Sequence, residues 1–305
     1  MVFTMLNDTL VGGCFASLLT PLLPDGSVDE DGLPSYVEWV LASGVDGLVA
    51  LGTTGEFSDL VPEERDRVLE SVMRTVAGRL PVVVAVGALE AAEAKRFAAR
   101  AQSLGASAIL ALPPLYWHLD DKGILRYFRQ LAAAAEIPLI LYNIPSLTDR
   151  TLPLDVVAEL ASDAEQFIGV KESVLDIERV HSVLEVVEDV PGFAVIAGFE
   201  EIALPALEAG AAGLISGLAS AWPQPVVELV RAVRDGAVGA GRPWQDLVDR
   251  ALAVSAQTSP PILGLKTIAA AAGAPIRPIV RTEPTAPAHF SKQAHQQIRK
   301  FMQLV

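Results

Sequence analysis

Three stretches of this chain hold residue types that could do covalent chemistry. Lys171 closes the apolar run Phe167-Ile168-Gly169-Val170-Lys171. The chain has only six lysines, and the other five fall in helical or polar surroundings, Lys266 for instance in the helical run 262–272. An amine at the end of a buried strand that points into a pocket loses hydration, which favours its neutral form. The neutral amine is the species that attacks a ketone to form an imine. A strand-end lysine can equally reach solvent along its apolar stem. The second stretch is Gly52-Thr53-Thr54-Gly55-Glu56, directly after the apolar run ending at Leu51. Its glycines let the backbone approach a ligand, its threonines add hydroxyls, and a helix starting nearby would aim N–H groups at a carboxylate or phosphate. An ordinary turn with a threonine cap fits the same residues. The third is Tyr142-Asn143-Ile144-Pro145, at the end of the run before the one carrying Lys171. A phenol beside a protonated imine can shuttle protons.

Other chemistries lack their residues. His118, His181, His289 and His295 make no His-x-His or His-x-x-x-His pair, and Cys14 is the single cysteine, so the spacing of a zinc site is missing and an intrachain disulfide is impossible. Cys14 is expected to be a small buried hydrophobe. Neither a nucleophile elbow nor a phosphate-binding loop of the Walker type occurs, and the glycines of 236–241 follow no strand, which excludes a dinucleotide fingerprint. The net charge of −14, from 37 acidic and 23 basic residues, argues against nucleic acid and anionic membrane as partners. An anionic substrate must then be held by local groups.

The elements that would position these residues follow an alternating pattern. Near-continuous apolar runs at 13–19, 45–51, 81–86, 106–112, 138–142, 167–171, 193–197 and 212–216 read as strands buried on both faces. Amphipathic stretches separate them. In 63–76, Val68, Leu69, Val72, Met73 and Val76 share one face, and in 90–104 Ala94, Phe97, Ala98 and Ala101 do the same. Eight such units in 305 residues, 51% hydrophobic and 6% aromatic, predict an α/β fold, a (β/α)8 TIM barrel, rather than a doubly wound open sheet. The barrel is expected over 1–220. Helices at 225–235, 244–256, 262–272 and 288–304 would form a C-terminal appendage, 221–305, packed on it. The N-terminus is apolar, but its first basic residue is Arg65, and Pro21 and Pro24 interrupt the run, so a cytoplasmic, soluble protein is expected. In such a barrel, reactive groups belong at the C-terminal strand ends, where all three stretches fall.

Together, Gly52-Thr53-Thr54-Gly55-Glu56, Tyr142-Asn143-Ile144-Pro145 and Gly169-Val170-Lys171-Glu172 resemble the dihydrodipicolinate synthase and N-acetylneuraminate lyase family of class I aldolases. The resemblance runs from about Gly13 through the C-terminal helices, with the lysine 29 residues after the tyrosine. It implies that Lys171 forms an imine with C2 of pyruvate or another 2-oxo acid. Gly52, Thr53 and Thr54 would hold the carboxylate, and Tyr142 would move protons. Thr54 would link Tyr142 to a second tyrosine, which many members take from a neighbouring subunit. Pro113-Pro114-Leu115-Tyr116 matches that segment, so Tyr116 is the candidate, and at least a dimer is implied, with a tetramer (a dimer of dimers) as the family norm. The imine is itself the electron sink, so the resemblance calls for neither a metal nor an organic cofactor.

The partner substrate is less constrained. Dihydrodipicolinate synthases usually carry arginine where this chain has Leu147, and leucine cannot grip a carboxylate; Arg150 lies three residues on. Positions that are often histidine in lysine-inhibited members are Pro62 and Arg65. Tyr-Asn-Ile-Pro-Ser-Leu-Thr looks like the neuraminate-lyase branch, as does the acidic pair of Gly198-Phe199-Glu200-Glu201, expected to help hold a sugar chain together with Ser216. A serine of that branch falls on Gly217, beside Ser216. The leading expectation is a lyase that cleaves a sugar-derived 2-oxo acid to pyruvate and an aldehyde. The alternatives are dihydrodipicolinate synthase and a dehydratase or deaminase using the same imine. From other classes come a metal-dependent barrel lyase and a catalytically silent ligand-binding homologue.

Overall fold

The eight apolar runs pair in chain order, each parallel to the next, and the last closes on the first. In a computed structural model, which describes residues 10–162, 166–236, 239–282 and 288–303, they are β1 (Gly13–Ser17), β2 (Gly47–Ala50), β3 (Val82–Ala85), β4 (Ala108–Ala111), β5 (Leu139–Asn143), β6 (Phe167–Glu172), β7 (Ala194–Ala197) and β8 (Gly213–Ser216). Between them run α1 (Leu33–Leu41), α2 (Pro62–Val76), α3 (Ala91–Ser103), α4 (Asp121–Ala132), α5 (Pro145–Thr148), α6 (Leu154–Ser162), α7 (Ile177–Val186) and α8 (Ala203–Glu208). The expected (β/α)8 barrel is therefore present.

Strand periodicity sorts the apolar side chains into two cores. Phe15, Val49, Val83, Leu110, Ile140, Ile168, Ile196 and Ile215 point inward and fill the lumen. Their neighbours, among them Cys14, Leu48, Val84, Ile109, Leu141, Val170, Val195 and Leu214, point outward against the helices. The helices meet them with the expected stripes: in α2, Val68, Leu69, Val72 and Val76 are buried, with Met73 partly so. A lumen packed with branched side chains is a plug and not a pore, so ligands can reach only the strand ends. Cys14 is fully buried, and burial with the nearby Asp46 carboxylate pushes its thiol far up, so it is inert as a nucleophile.

The C-terminal helices also lie close to their expected places: α9 (Pro223–Arg234), α10 (Arg242–Ser255), α11 (Pro261–Ala271) and α12 (Ala288–Met302). They are not remote from the barrel. Helix α9 packs on β1, and Arg277 and Arg281, in the stretch after α11, pair with Asp29 and Glu64 of the barrel. No helix among the described residues is long and apolar enough to cross a membrane.

Candidate active site

Tyr142 and Lys171 are register partners across the β5–β6 pair, so the parallel ladder itself sets them side by side. Both are buried, at 2% and 6% exposure. The Lys171 Nζ donates toward the Tyr142 hydroxyl at 3.4 Å and lies 4.4 Å from the centre of its ring. The Tyr142 hydroxyl is in turn 3.3 Å from Thr53 Oγ1. The result is a line of three polar groups, amine, phenol and hydroxyl.

Each member is braced from behind. Asn143 donates to Glu172 Oε2 at 2.6 Å and accepts from the backbone N–H of Leu152 at 2.9 Å. Arg179 of α7 pairs with Glu172 Oε1 at 3.1 Å and donates to the Leu152 carbonyl. This network ties the ends of β5 and β6, and so the residues just before its members, Tyr142 and Lys171. Burial pushes the Glu172 carboxyl up, while Arg179 and Asn143 pull it down. Gly198, on the neighbouring β7 turn, must lack a side chain. A Cβ there would lie 3.0 Å from Lys171 Cε and 2.0 Å from Ser173 Oγ.

The glycine–threonine turn is held as firmly. The Gly55 carbonyl accepts from Thr20, and Glu56 takes a left-handed backbone, φ 58°. The Glu56 carboxylate meets Lys266 of α11 at 2.5 Å. Burial pushes this carboxyl up and this ammonium down, each opposed by its partner's charge. Gly52 lies against Ser17, and Thr54 lies against the β8 turn at Gly217.

Several expectations need correction. The hydroxyl that touches Tyr142 belongs to Thr53, and Thr54 faces β8 instead, because successive residues of the turn point to different sides. Ser216 is fully buried; it donates to Glu200 Oε1 at 2.7 Å and accepts from the Ala219 N–H at 2.9 Å. Glu200 Oε1 also accepts from Leu218 N–H, and its own carbonyl accepts from Gln245. Glu200 and Ser216 thus back the turn after β8, and the expected hold on a sugar chain does not follow. Ser216 pairs in register with Ala16, which belongs to the outward-facing core, so strand parity turns it from the lumen. Lys266, read from sequence as an unremarkable helical lysine, is completely buried.

Leu147, in the short helix α5, is 65% exposed, and Arg150 is engaged with the Leu119 carbonyl. Tyr116, on the loop after β4, is 70% exposed and stacks edge-on with Trp117 at 5.1 Å. Arg65 donates to the Gly87 carbonyl and pairs with Glu93. It lines a cleft of about 460 Å³ with Phe57, Pro62, Leu89 and Leu115, and this cleft contains none of Thr53, Tyr142 or Lys171. Ser173 went unnoticed in the sequence. Its buried hydroxyl has no hydrogen-bond partner and sits against Gly198. The signal was its place two residues after Lys171, on the same face at a strand end.

A family model, the dihydrodipicolinate synthetase family, matches residues 10–304. The chain belongs to that family. It is accordingly a class I, lysine-imine enzyme of the lyase and aldolase type. It is 37% identical over 224 residues to a 4-hydroxy-tetrahydrodipicolinate synthase of Methanothrix thermoacetophila, covering 73% of this chain and 75% of that one. A synthase of the same name from Methanopyrus kandleri is 34% identical over 271 residues, 88% of this chain and 90% of that one. Among solved structures, YagE, a prophage protein of E. coli K12 in complex with pyruvate, superposes with a TM-score of 0.90 at 27% identity, covering 95% of this chain and 98% of that one.

Proposed function

We propose that Lys171 forms an imine with pyruvate and that the derived enamine joins an aldehyde, in the manner of a 4-hydroxy-tetrahydrodipicolinate synthase. The observation that carries this is the line Lys171–Tyr142–Thr53, with spacings of 3.4 and 3.3 Å. The amine adds to C2 of pyruvate, and Tyr142 supplies the proton with which the former carbonyl oxygen leaves as water. Loss of a C3 proton from the iminium gives the enamine, whose C3 attacks the aldehyde carbon. The new alkoxide takes up a proton. The Lys171 amine is released by attack on the imine carbon, by the substrate's own amine with ring closure for an amino aldehyde such as aspartate semialdehyde, or by water for other acceptors. The Gly52–Thr53–Thr54 turn holds the pyruvate carboxylate with its backbone N–H groups and hydroxyls. Tyr116, 70% exposed in the single chain, extends the line from a second copy within a dimer of dimers. The names of the relatives support aspartate semialdehyde as the aldehyde.

One observation favours a second reading, cleavage of a sugar-derived 2-oxo acid. Leu147 offers no charge for a second carboxylate. The buried Ser173 hydroxyl, without a hydrogen-bond partner and set against Gly198 beside Lys171, could meet a substrate hydroxyl in that reading.

Borohydride reduction in the presence of pyruvate, followed by peptide mass mapping, tests the covalent step. A stable adduct on Lys171 is expected, unaffected by EDTA and lost in Lys171→Ala. An unmodified Lys171 after reduction would overturn the proposal. Assays with aspartate semialdehyde and with a panel of 2-oxo sugar acids then separate the two readings.

A further inference from the structure

The mechanism above leaves one buried pair of charges unused. Glu56 closes the carboxylate-binding turn, two residues after Thr54, at 7% exposure. Lys266 sits in the middle of α11, at 0% exposure. Taking two long charged side chains out of water is costly, and removing one of the pair leaves the other charge buried and uncompensated. Here the ammonium has two partners, the Glu56 carboxylate at 2.5 Å and the Ile279 carbonyl at 2.6 Å. Ile279 lies in the stretch after α11, so one ammonium ties the turn, the helix and that stretch together.

The turn depends on such a tie. Glu56 is not a glycine, yet its backbone is left-handed, a conformation kept only where the surroundings enforce it. Its N–H goes to the Thr53 carbonyl at 3.0 Å, and its carbonyl takes the Asp59 N–H at 2.9 Å. Those bonds shape the turn but do not anchor it to the barrel. Besides the Thr53 hydroxyl on Tyr142, anchors come from Thr20, on the Gly55 carbonyl, and Lys266, on the Glu56 side chain. Arg281 adds a further clamp at the far end of the loop, on the Asp59 carbonyl.

We infer that Glu56 and Lys266 are positioning residues, which hold the Thr53–Thr54 turn at the depth where it meets the substrate carboxylate, and that the C-terminal helices are in this way part of the active site. The inference rests on the reading that this turn binds the carboxylate of pyruvate. It makes a distinctive demand: loosening the pair should weaken recognition of the carboxylate and leave the amine of Lys171 chemically intact.

The experiment uses the full chain and its Glu56→Gln and Glu56→Asp variants. The second keeps the charge but shortens the arm, so it preserves folding if the first does not. Borohydride trapping on Lys171 is titrated with pyruvate and, separately, with acetone, which has the ketone but no carboxylate. The pyruvate concentration for half-maximal trapping should rise by about tenfold or more, while the acetone response and the maximal trapping stay within about twofold of the parent. Equal losses for pyruvate and acetone would indicate a merely structural pair and overturn the inference. So would an unchanged pyruvate response in either folded variant. Should the unsubstituted protein form no pyruvate adduct, the functional reading itself falls, and the inference with it.

Discussion

At the scale of single residues, the site separates groups that touch from groups that only stand nearby. Thr53 and Thr54 are adjacent and chemically identical, yet only Thr53 reaches the Tyr142 hydroxyl. Thr53→Val should therefore lower kcat by about 10- to 100-fold, within the range for one member of a proton-transfer line. Thr54→Val should act mainly on KM. Steady-state kinetics on the two variants decide the matter, and an equal fall in kcat would show that Thr53 has no part in the relay that Thr54 lacks. Leu147 carries the question of the aldehyde. Leu147→Arg supplies a bidentate carboxylate donor in α5 and should raise kcat/KM for aspartate semialdehyde by about tenfold, at the expense of uncharged acceptors. If aspartate semialdehyde is already the best acceptor of the parent and the arginine adds nothing, the leucine is not the discriminating residue.

At the scale of elements, the barrel strands deliver side chains and the stretches beyond them hold the delivery in register. The Asn143–Glu172–Arg179 network does so for β5 and β6, and the C-terminal stretch does so for α2. Arg281 hydrogen-bonds Glu64 at 2.6 Å and holds its carboxyl below the usual carboxylate range. Glu64 also accepts the Val61 N–H at the start of α2. A carboxyl depressed by folding adds stability that is complete above its unfolded value, 4.5, and is lost as pH falls through the folded value. Arg281→Gln should thus cost about 0.5–1.5 kcal/mol at neutral pH. The gap between the two stability curves should narrow in acid, leaving the share due to the Gly26 and Asp59 carbonyls. Urea melts across pH 2–7 test this, and a constant difference at every pH would show that Arg281 acts without its Glu64 pair.

At the scale of the whole molecule, the single chain leaves apolar surface at the mouth of its barrel. Tyr116, Trp117 and Leu89 are each at least 70% exposed. Isolated exposed side chains are common, but aromatic ones beside an active site fit a subunit contact. If Tyr116 serves a neighbour's Lys171, mixing Tyr116→Phe with Lys171→Ala should restore activity to two proteins that are each impaired. A mixed dimer then contains one site with both an intact lysine and an intact tyrosine. No recovery after verified subunit exchange would remove Tyr116 from the reaction.

Element order and the covalent centre were legible in the sequence because both rest on short-range facts. Apolar runs of strand length, amphipathic stretches between them, and a lysine and a tyrosine at the ends of consecutive runs are properties of local chain. Once consecutive strands pair in parallel, those two residues must meet. What the tertiary structure alone decided is which neighbour each polar group takes. Strand parity and the path of the turn after β7 gave Glu200 to Ser216 and Leu218, although the acidic pair looked made for a sugar. The geometry of one tight turn chose Thr53 over Thr54. Burial turned Lys266 from a routine helical lysine into the anchor of that turn, because desolvation and pairing depend on parts of the chain that approach one another only after folding. The sequence by itself determined a barrel with a lysine and a tyrosine side by side at its mouth; the fold determined what holds them there.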